Sequence, residues 1–253
     1  MSTPITYREL LIDRYRLLYN WVPAGAGSVL DIGCGNGIFT RRLQDRAARV
    51  AGTDHNPRQL EAARREAPGV EFILCEDNSL PFHDNEFDAA VMSDVLEHMQ
   101  DDGAGLREAL RVVKPGGLLL ISLPNRGPLA VLDGDNLVNG LVCLISRCRI
   151  PRGRGPDGRR AHWFEGFEFD RHRHYGLRDL ELLLAEGGRI EKVYYGGTFA
   201  WPLLYLAEKV GEVFFKRPLV DTDYRLLRRL RALDFRLNLG RWSYNLVAAA
   251  RVN

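Results

Sequence analysis

The four cysteines, Cys34, Cys75, Cys143 and Cys148, form no C-x-x-C pair. The thiol spacing of a zinc ribbon or a dithiol redox centre is therefore missing, and a chain of 253 residues needs no disulfide staples. Reduced thiols are the expectation. No apolar run reaches the roughly 18 residues of a membrane span. The opening MSTPITYREL lacks the charged-then-apolar layout of a signal peptide, so the expected location is the cytoplasm. Internal repeats and low-complexity tracts are also missing, which excludes solenoids and arrays.

What is present is enough apolar material for a full core: 45% of residues are hydrophobic, and residues 1–253 read as one elaborated α/β domain. The net charge of +2 hides a division, with 13 Lys and Arg against 18 Asp and Glu in residues 1–122 and 22 against 15 in residues 123–253. The two halves are expected to face different partners. Arg147–Arg160, RCRIPRGRGPDGRR, reads as an exposed loop.

Tyr7, Leu10, Leu11, Arg14, Tyr15 and Leu18 recur at helical spacing, which predicts an amphipathic helix within residues 1–22, ending before Pro23. Short apolar runs at Val29–Ile32, Val50–Thr53, Phe72–Leu74, Ala89–Met92 and Leu118–Ser122 read as buried parallel strands bounded by turn residues. Helices are predicted over Asn56–Ala67, opened by Pro57, and over Asp101–Val113, closed by KPGG at Lys114–Gly117. A helix over Leu177–Ala185 and strands over Ile190–Tyr194 and Tyr244–Ala250 follow. Strands alternating with helices predict a doubly wound sheet. Two long interruptions, 123–175 and 195–242, exceed ordinary loop length and are expected to hold functional structure on the substrate side.

SVLDIGCGNG, Ser28–Gly37, places Gly33, Gly35 and Gly37 directly after the first strand. In open α/β sheets ligands sit beyond the carboxyl ends of the strands. The spacing is G-x-G-x-G; the third position of a dinucleotide fingerprint, G-x-G-x-x-G/A, is occupied by Ile38. Close backbone approach is kept, but the pattern suits a ligand without a pyrophosphate. A plain tight turn would also use such glycines. Asp54, at the end of the second strand, favours the ligand reading by offering a carboxylate to the two hydroxyls of a ribose.

VLDIGCGNG, GTDHN, VEFILCEDNSLPFHDNEFDAAVMSDVLEHM and LREALRVVKPGGLLLISLPN together resemble the successive motifs of class I S-adenosylmethionine-dependent methyltransferases, of the type 11 branch that includes the ubiquinone-type small-molecule enzymes. The resemblance is contiguous over Ser28–Asn125. It implies a Rossmann-like, doubly wound, seven-stranded sheet, mostly parallel with an antiparallel last strand, carrying helical cap insertions around a cofactor core at 28–122. It implies S-adenosyl-L-methionine as cofactor, with Gly33, Gly35 and Gly37 against its methionine and ribose portion. Asp31 would hold the methionine ammonium, Asp54 the ribose hydroxyls, and Ser93 would border the methionine through its backbone. Glu76, followed by Asp77, stands where the family usually has Asp for the adenine amino group, and either carboxylate could serve. A cationic sulfonium favours carboxylates over the Arg or Lys that a phosphate needs.

Methyl transfer to a hydroxyl needs a base. His98, just beyond the fourth strand, is the first candidate, and in this family it also has a structural reading. His162 and His174, in and at the end of the first interruption, are the others, with His172 beside them. The alternation of His172 and His174 in DRHRHYG lacks a carboxylate or thiol cluster of ligand spacing, so no metal is expected. SDVLEH stands where base-amino methyltransferases carry their Pro-Pro-aromatic motif, which argues against a nucleic-acid substrate. PLAVLDGDNLVNGLVCLISRCR and TFAWPLLYLAEKVGEVFFKRP combine large apolar residues with basic ends; Trp201, Leu204, Tyr205, Glu208, Val210 and Phe214 would wrap a helix. They suggest a cap over the cleft and an amphipathic or anionic acceptor (a phenol, a sugar or a lipid-like molecule), O-methylated first and N- or C-methylated as the alternative. A non-catalytic cofactor-binding module is the competing class. Lys216, Arg217 and RLLRRLRALDFR, with Arg228, Arg229 and Arg231, further suggest peripheral contact with an anionic membrane.

Overall fold

The computed structural model describes residues 13–76, 78–133, 136–137, 162–164, 167–168, 173–198, 200–211 and 225–253. Helix α1 (Asp13–Trp21) leads into β1 (Ala26–Ile32), α2 (Ile38–Leu43), β2 (Ala47–Asp54), α3 (Pro57–Glu66), β3 (Glu71–Leu74), β4 (Phe87–Ser93), α4 (Asp102–Val112) and β5 (Val113–Pro124). A 3₁₀ turn (Pro128–Leu132), the short pair β6 (His162–Phe164) and β7 (Phe167–Glu168), α5 (Leu177–Leu184), β8 (Gly188–Gly196), α6 (Ala200–Val210), α7 (Arg225–Arg236), a second 3₁₀ turn (Gly240–Trp242) and β9 (Asn245–Val252) complete it.

Seven strands form one sheet in the order β3-β2-β1-β4-β5-β9-β8. Strands β1 to β5 pair in parallel, and β9 runs antiparallel between β5 and β8. The inner strands are apolar on both faces, and period-two alternation sends their residues into two cores. Leu30, Ile32, Ala90, Met92, Leu119 and Ile121 meet Leu106 and Ala109 of α4 and Leu180 and Leu184 of α5. Val29, Ala89, Val91 and Leu120 meet Leu18 of α1, Leu43 of α2 and Phe235 of α7. Six of the seven predicted strands lie within longer observed ones; the last, predicted from Tyr244, begins one residue later, at Asn245.

Helices α3 and α4 start at side-chain caps. The Asn56 side chain accepts from the Arg58 amide at 3.0 Å and that of Asp101 from the Ala104 amide at 2.8 Å. One expectation is corrected: Lys114–Gly117 does not close α4. The chain enters β5 at Val113 without a loop, and KPGG forms an irregularity in the β4–β5 pairing, where Phe87 faces Val113 and Ala89 faces Leu118. Lys114 Nζ, 2.6 Å from Asp88 Oδ1, anchors it.

In the second interruption α6 and α7 pack on each other, and α6 touches the 3₁₀ turn at Pro128–Leu132. Phe214, Lys216 and Arg217, most of the first interruption, His172, Asp77 and residues 1–12 lie outside the described residues. Arg231 corrects another expectation. It turns inward, with Nη2 3.0 Å from Asp13 Oδ2, and ties α7 to α1.

Candidate active site

The site lies at the carboxyl edge of the parallel strands, where β1 and β4 lead off in opposite directions across the sheet. The turn after β1 is tight: the Cys34 amide donates to the Thr53 carbonyl at 2.8 Å and that of Gly37 to the Cys34 carbonyl at 3.0 Å. Its glycines serve different ends. A Cβ on Gly33 would come 2.4 Å from Val95 Cγ2, and one on Gly37 2.8 Å from Ala63 Cα on α3. Gly35, at φ +53°, has nothing within 4 Å of that position. Gly33 makes room for the Val95 side chain, Gly37 for the backbone of α3, and Gly35 faces open space.

Asp54, 6% exposed, ends β2 under this turn. Its Oδ2 accepts from the Gly35 amide and its Oδ1 from the Asn56 amide, both at 2.8 Å. Asp31, 3% exposed, ends β1 and accepts from Thr40 Oγ1 at 2.6 Å. Burial pushes its carboxyl up to about 7; the Thr40 hydrogen bond opposes this and the charge of Asp54 adds to it. Glu76 is exposed just beyond β3, joined to Asp54 through the Cys75 amide, which donates to the Asp54 carbonyl at 3.2 Å.

Ser93 ends β4, its Oγ 3.0 Å from Ser122 Oγ on β5. Ser122 Oγ lies 3.1 Å from Asp94 Oδ1, and Asp94, at φ 55°, is ion-paired with Arg14 of α1. Burial opposes the charge on Arg14, and Asp94, Tyr15 and Asp13 together more than restore it. Tyr15 completes the wall; burial raises its hydroxyl, and a hydrogen bond with Ser93 works the other way. Helical periodicity gives Arg14 and Tyr15 only an amphipathic face, and nothing local marks Asp94 as their partner.

His98 is half-buried in the turn after β4, its amide bonded to the Val95 carbonyl at 3.0 Å. His162 lies in β6 opposite Glu168, its side chain outside the described residues. His174 stands in a built environment. Its Nε2 is 3.3 Å from Asp133 Oδ2, its side chain is 13% exposed and that of Asp133 0%. The same Asp133 oxygen accepts from the Tyr244 hydroxyl at 2.8 Å, and Asp133 Oδ1 accepts from the Asn136 amide at 2.8 Å. Tyr244 precedes β9, whose Asn245 pairs with Pro124 at the end of β5. The His174–Asp133–Tyr244 group therefore shares the sheet edge with Gly35, Asp54 and Ser93. No group of three or more metal-ligating side chains occurs among the described residues.

Residues 30–121 match the family described as a methyltransferase domain, type 11. Over those residues the chain is similar to the class I S-adenosylmethionine-dependent methyltransferases. Outside the domain the likeness thins. A demethylmenaquinone methyltransferase of Renibacterium salmoninarum is 33% identical over 136 residues, 52% of this chain and 57% of that protein. A ubiquinone biosynthesis O-methyltransferase of Pseudomonas aeruginosa is 35% identical over 134 residues, 48% of this chain and 56% of that one. The chain thus spans little more than half the length of these relatives. Among solved structures, an S-adenosylmethionine-dependent methyltransferase of Methanosarcina mazei shares the fold at a TM-score of 0.58 and 22% identity, covering 95% of this chain and 98% of that one.

The family implies S-adenosylmethionine, and the methyltransferase domain fits it. Open space over Gly35 leaves room for a ligand, and buried Asp31 and Asp54 offer anionic acceptors where a cationic amino acid and a ribose would lie. Asp31 gives this fit a measurable pH dependence. With its carboxyl near 7, an ammonium held there requires loss of the proton, so affinity rises with pH up to about 7 and levels off above it. Calorimetry between pH 5.5 and 8.5 is expected to show S-adenosylmethionine binding weakening by up to about tenfold per pH unit below that point. Asp31→Asn, which still accepts from Thr40, is expected to bind weakly without that slope.

Proposed function

We propose that the chain transfers the methyl group of S-adenosylmethionine to a small amphipathic acceptor, at oxygen first, with His174 as base. The cofactor reading is carried by one observation: the Asp54 carboxylate grips the Gly35 amide beneath open space. In this reading Gly35, Asp54, Asp31 and the Ser93 backbone hold the ribose and methionine portions, and Glu76 or Asp77 the adenine. Bound S-adenosylmethionine supplies an electrophilic methyl group on a sulfonium that already carries the leaving-group activation.

The protein's own task is to orient the acceptor, exclude water and take one proton. His174 suits the last of these better than His98 because its Nε2 lies 3.3 Å from the buried Asp133 carboxylate. With Nε2 facing a fully buried carboxylate, the proton belongs on Nε2 and Nδ1 is left as the acceptor. The names of the relatives make a quinone-type phenol the first acceptor to try; sugars and lipid-like hydroxyls follow, and N- or C-methylation is the alternative on a similar acceptor.

The test is formation of S-adenosylhomocysteine by the purified chain with a panel of phenolic, sugar and lipid acceptors, alongside calorimetry with S-adenosylmethionine and a nicotinamide dinucleotide. Turnover with one acceptor class supports the reading. Binding of S-adenosylmethionine without turnover on any acceptor would make the chain a cofactor-binding relative, and preference for the dinucleotide would remove the cofactor assignment itself.

A further inference from the structure

Among the described residues, three side chains of helix α7 tie it to the rest of the fold. Arg231 pairs with Asp13, Asp234 accepts from the Thr198 amide at 2.9 Å, and Phe235, 4% exposed, packs on Tyr194 with ring centroids 5.7 Å apart. These contacts set the rotation of the helix. Leu230, Leu233 and Leu237, spaced i, i+3 and i+7, fall on the opposite face, and all three are exposed, Leu233 at 59%. Leu239 and Trp242, at 47% and 51%, continue the apolar surface to the start of β9. Arg229, Arg236 and Arg241 are exposed among them. Residues 225–253 contain a single acid, Asp234, and that one is turned inward.

We infer that this face, Arg229 to Trp242, docks on the surface of an anionic lipid bilayer. A water-facing helix has no reason to expose leucines in register, whereas an interfacial helix buries such a stripe at the headgroup boundary and surrounds it with cations. A protein partner could cover the leucines. Within Arg229–Trp242 the exposed charged residues are all arginines, the charge pattern that complements an anionic headgroup layer. No helix among the described residues is long and apolar enough to cross a membrane, so the contact is peripheral. Its position adds a consequence: Trp242 lies two residues from Tyr244, so docking brings the edge bearing His174 and Asp133 to the lipid boundary, where an amphipathic acceptor resides. The docking face stands on its own geometry and does not depend on the methyl-transfer reading.

Co-sedimentation of the full chain with vesicles of phosphatidylcholine alone, and of phosphatidylcholine with phosphatidylglycerol, tests it. Binding is expected only to the anionic vesicles and is expected to weaken as salt shortens the screening length below about 8 Å. Leu233→Glu with Leu237→Glu, and separately Arg229→Glu with Arg236→Glu, are each expected to lower partitioning about tenfold or more. These side chains point to solvent, so thermal midpoint and S-adenosylmethionine binding are expected to be unchanged, which separates failure of docking from failure of the fold or of the proposed activity. No binding to anionic vesicles, binding indifferent to both pairs of substitutions, or a concentration-dependent dimer abolished by Leu233→Glu would overturn the inference.

Discussion

Asp54→Ala is expected to weaken S-adenosylmethionine binding by about a hundredfold or more, equivalent to roughly 2.7 kcal/mol. Two losses combine. The carboxylate that would accept from the ribose hydroxyls disappears, and so does the acceptor for the amides of Gly35 and Asn56, each now at 2.8 Å. In a site 6% exposed, stranding such donors costs about 1–3 kcal/mol, so the thermal midpoint should fall as well. The two contributions separate by measurement. Calorimetry well below the midpoint reports affinity of the folded protein, and the thermal scan without ligand reports the turn. Asp54→Asn, with one acceptor oxygen, keeps one of the two backbone bonds; it is expected to recover part of the stability while still binding poorly. An alanine variant that lost stability but bound S-adenosylmethionine normally would leave Asp54 a purely structural role.

The strands of this fold are legible because their physics is local. Val29–Ile32 and Leu118–Ser122 are apolar on both faces, bounded by turn residues, and fit only a buried sheet. The glycine turn and Asp54 are legible for the same reason, one run of ten residues and one strand end. What was hidden depends on distance. Asp133 sits in an unremarkable LDGDN and Tyr244 in WSYN, 111 positions away, and only the return of β9 beside β5 brings them together. Arg14 and Asp94 are likewise joined by the docking of α1. The RLLRRLRALDFR run reads as one basic face, yet its cations are divided by the rotation of α7, with Arg231 drawn inward by Asp13 and Arg229 and Arg236 left outside. The α4–β5 junction misled for a different reason. Pro and Gly usually punctuate, and here they are absorbed as an irregularity within a strand already paired on both sides.

The long-range ion pairs also order the site. Asp13 binds Arg231 of α7 while its neighbour Arg14 binds Asp94 beyond β4, so one turn of α1 couples the second insertion to the wall of the cofactor site. Partly buried pairs of this kind lose more when one partner is removed than they contribute over an apolar pair, because the remaining charge stays in a poorly solvated place.

His174→Gln is expected to lower kcat by about two to four orders of magnitude on a hydroxyl acceptor, the contribution of a positioned base. KM and S-adenosylmethionine affinity are expected to change little, because the ring lies at the β5–β9 edge and not in the Asp31–Asp54 cradle. A structural role for the His174–Asp133–Tyr244 group would also reduce activity, so the acceptor itself supplies the discriminating readout. A base is needed only while the hydroxyl carries its proton. An electron-poor phenol already ionised at the assay pH is expected to be methylated by His174→Gln within a few-fold of the unmodified protein, whereas an ordinary phenol or alcohol suffers the full loss. Asp133→Asn should give a smaller version of the same pattern, since the amide retains one acceptor for the Tyr244 hydroxyl but no longer places a carboxylate 3.3 Å from Nε2. A distorted site would penalise ionised and neutral phenols alike. Equal losses on both acceptors would therefore remove His174 as the base and return His98, in the turn beyond β4, to first place.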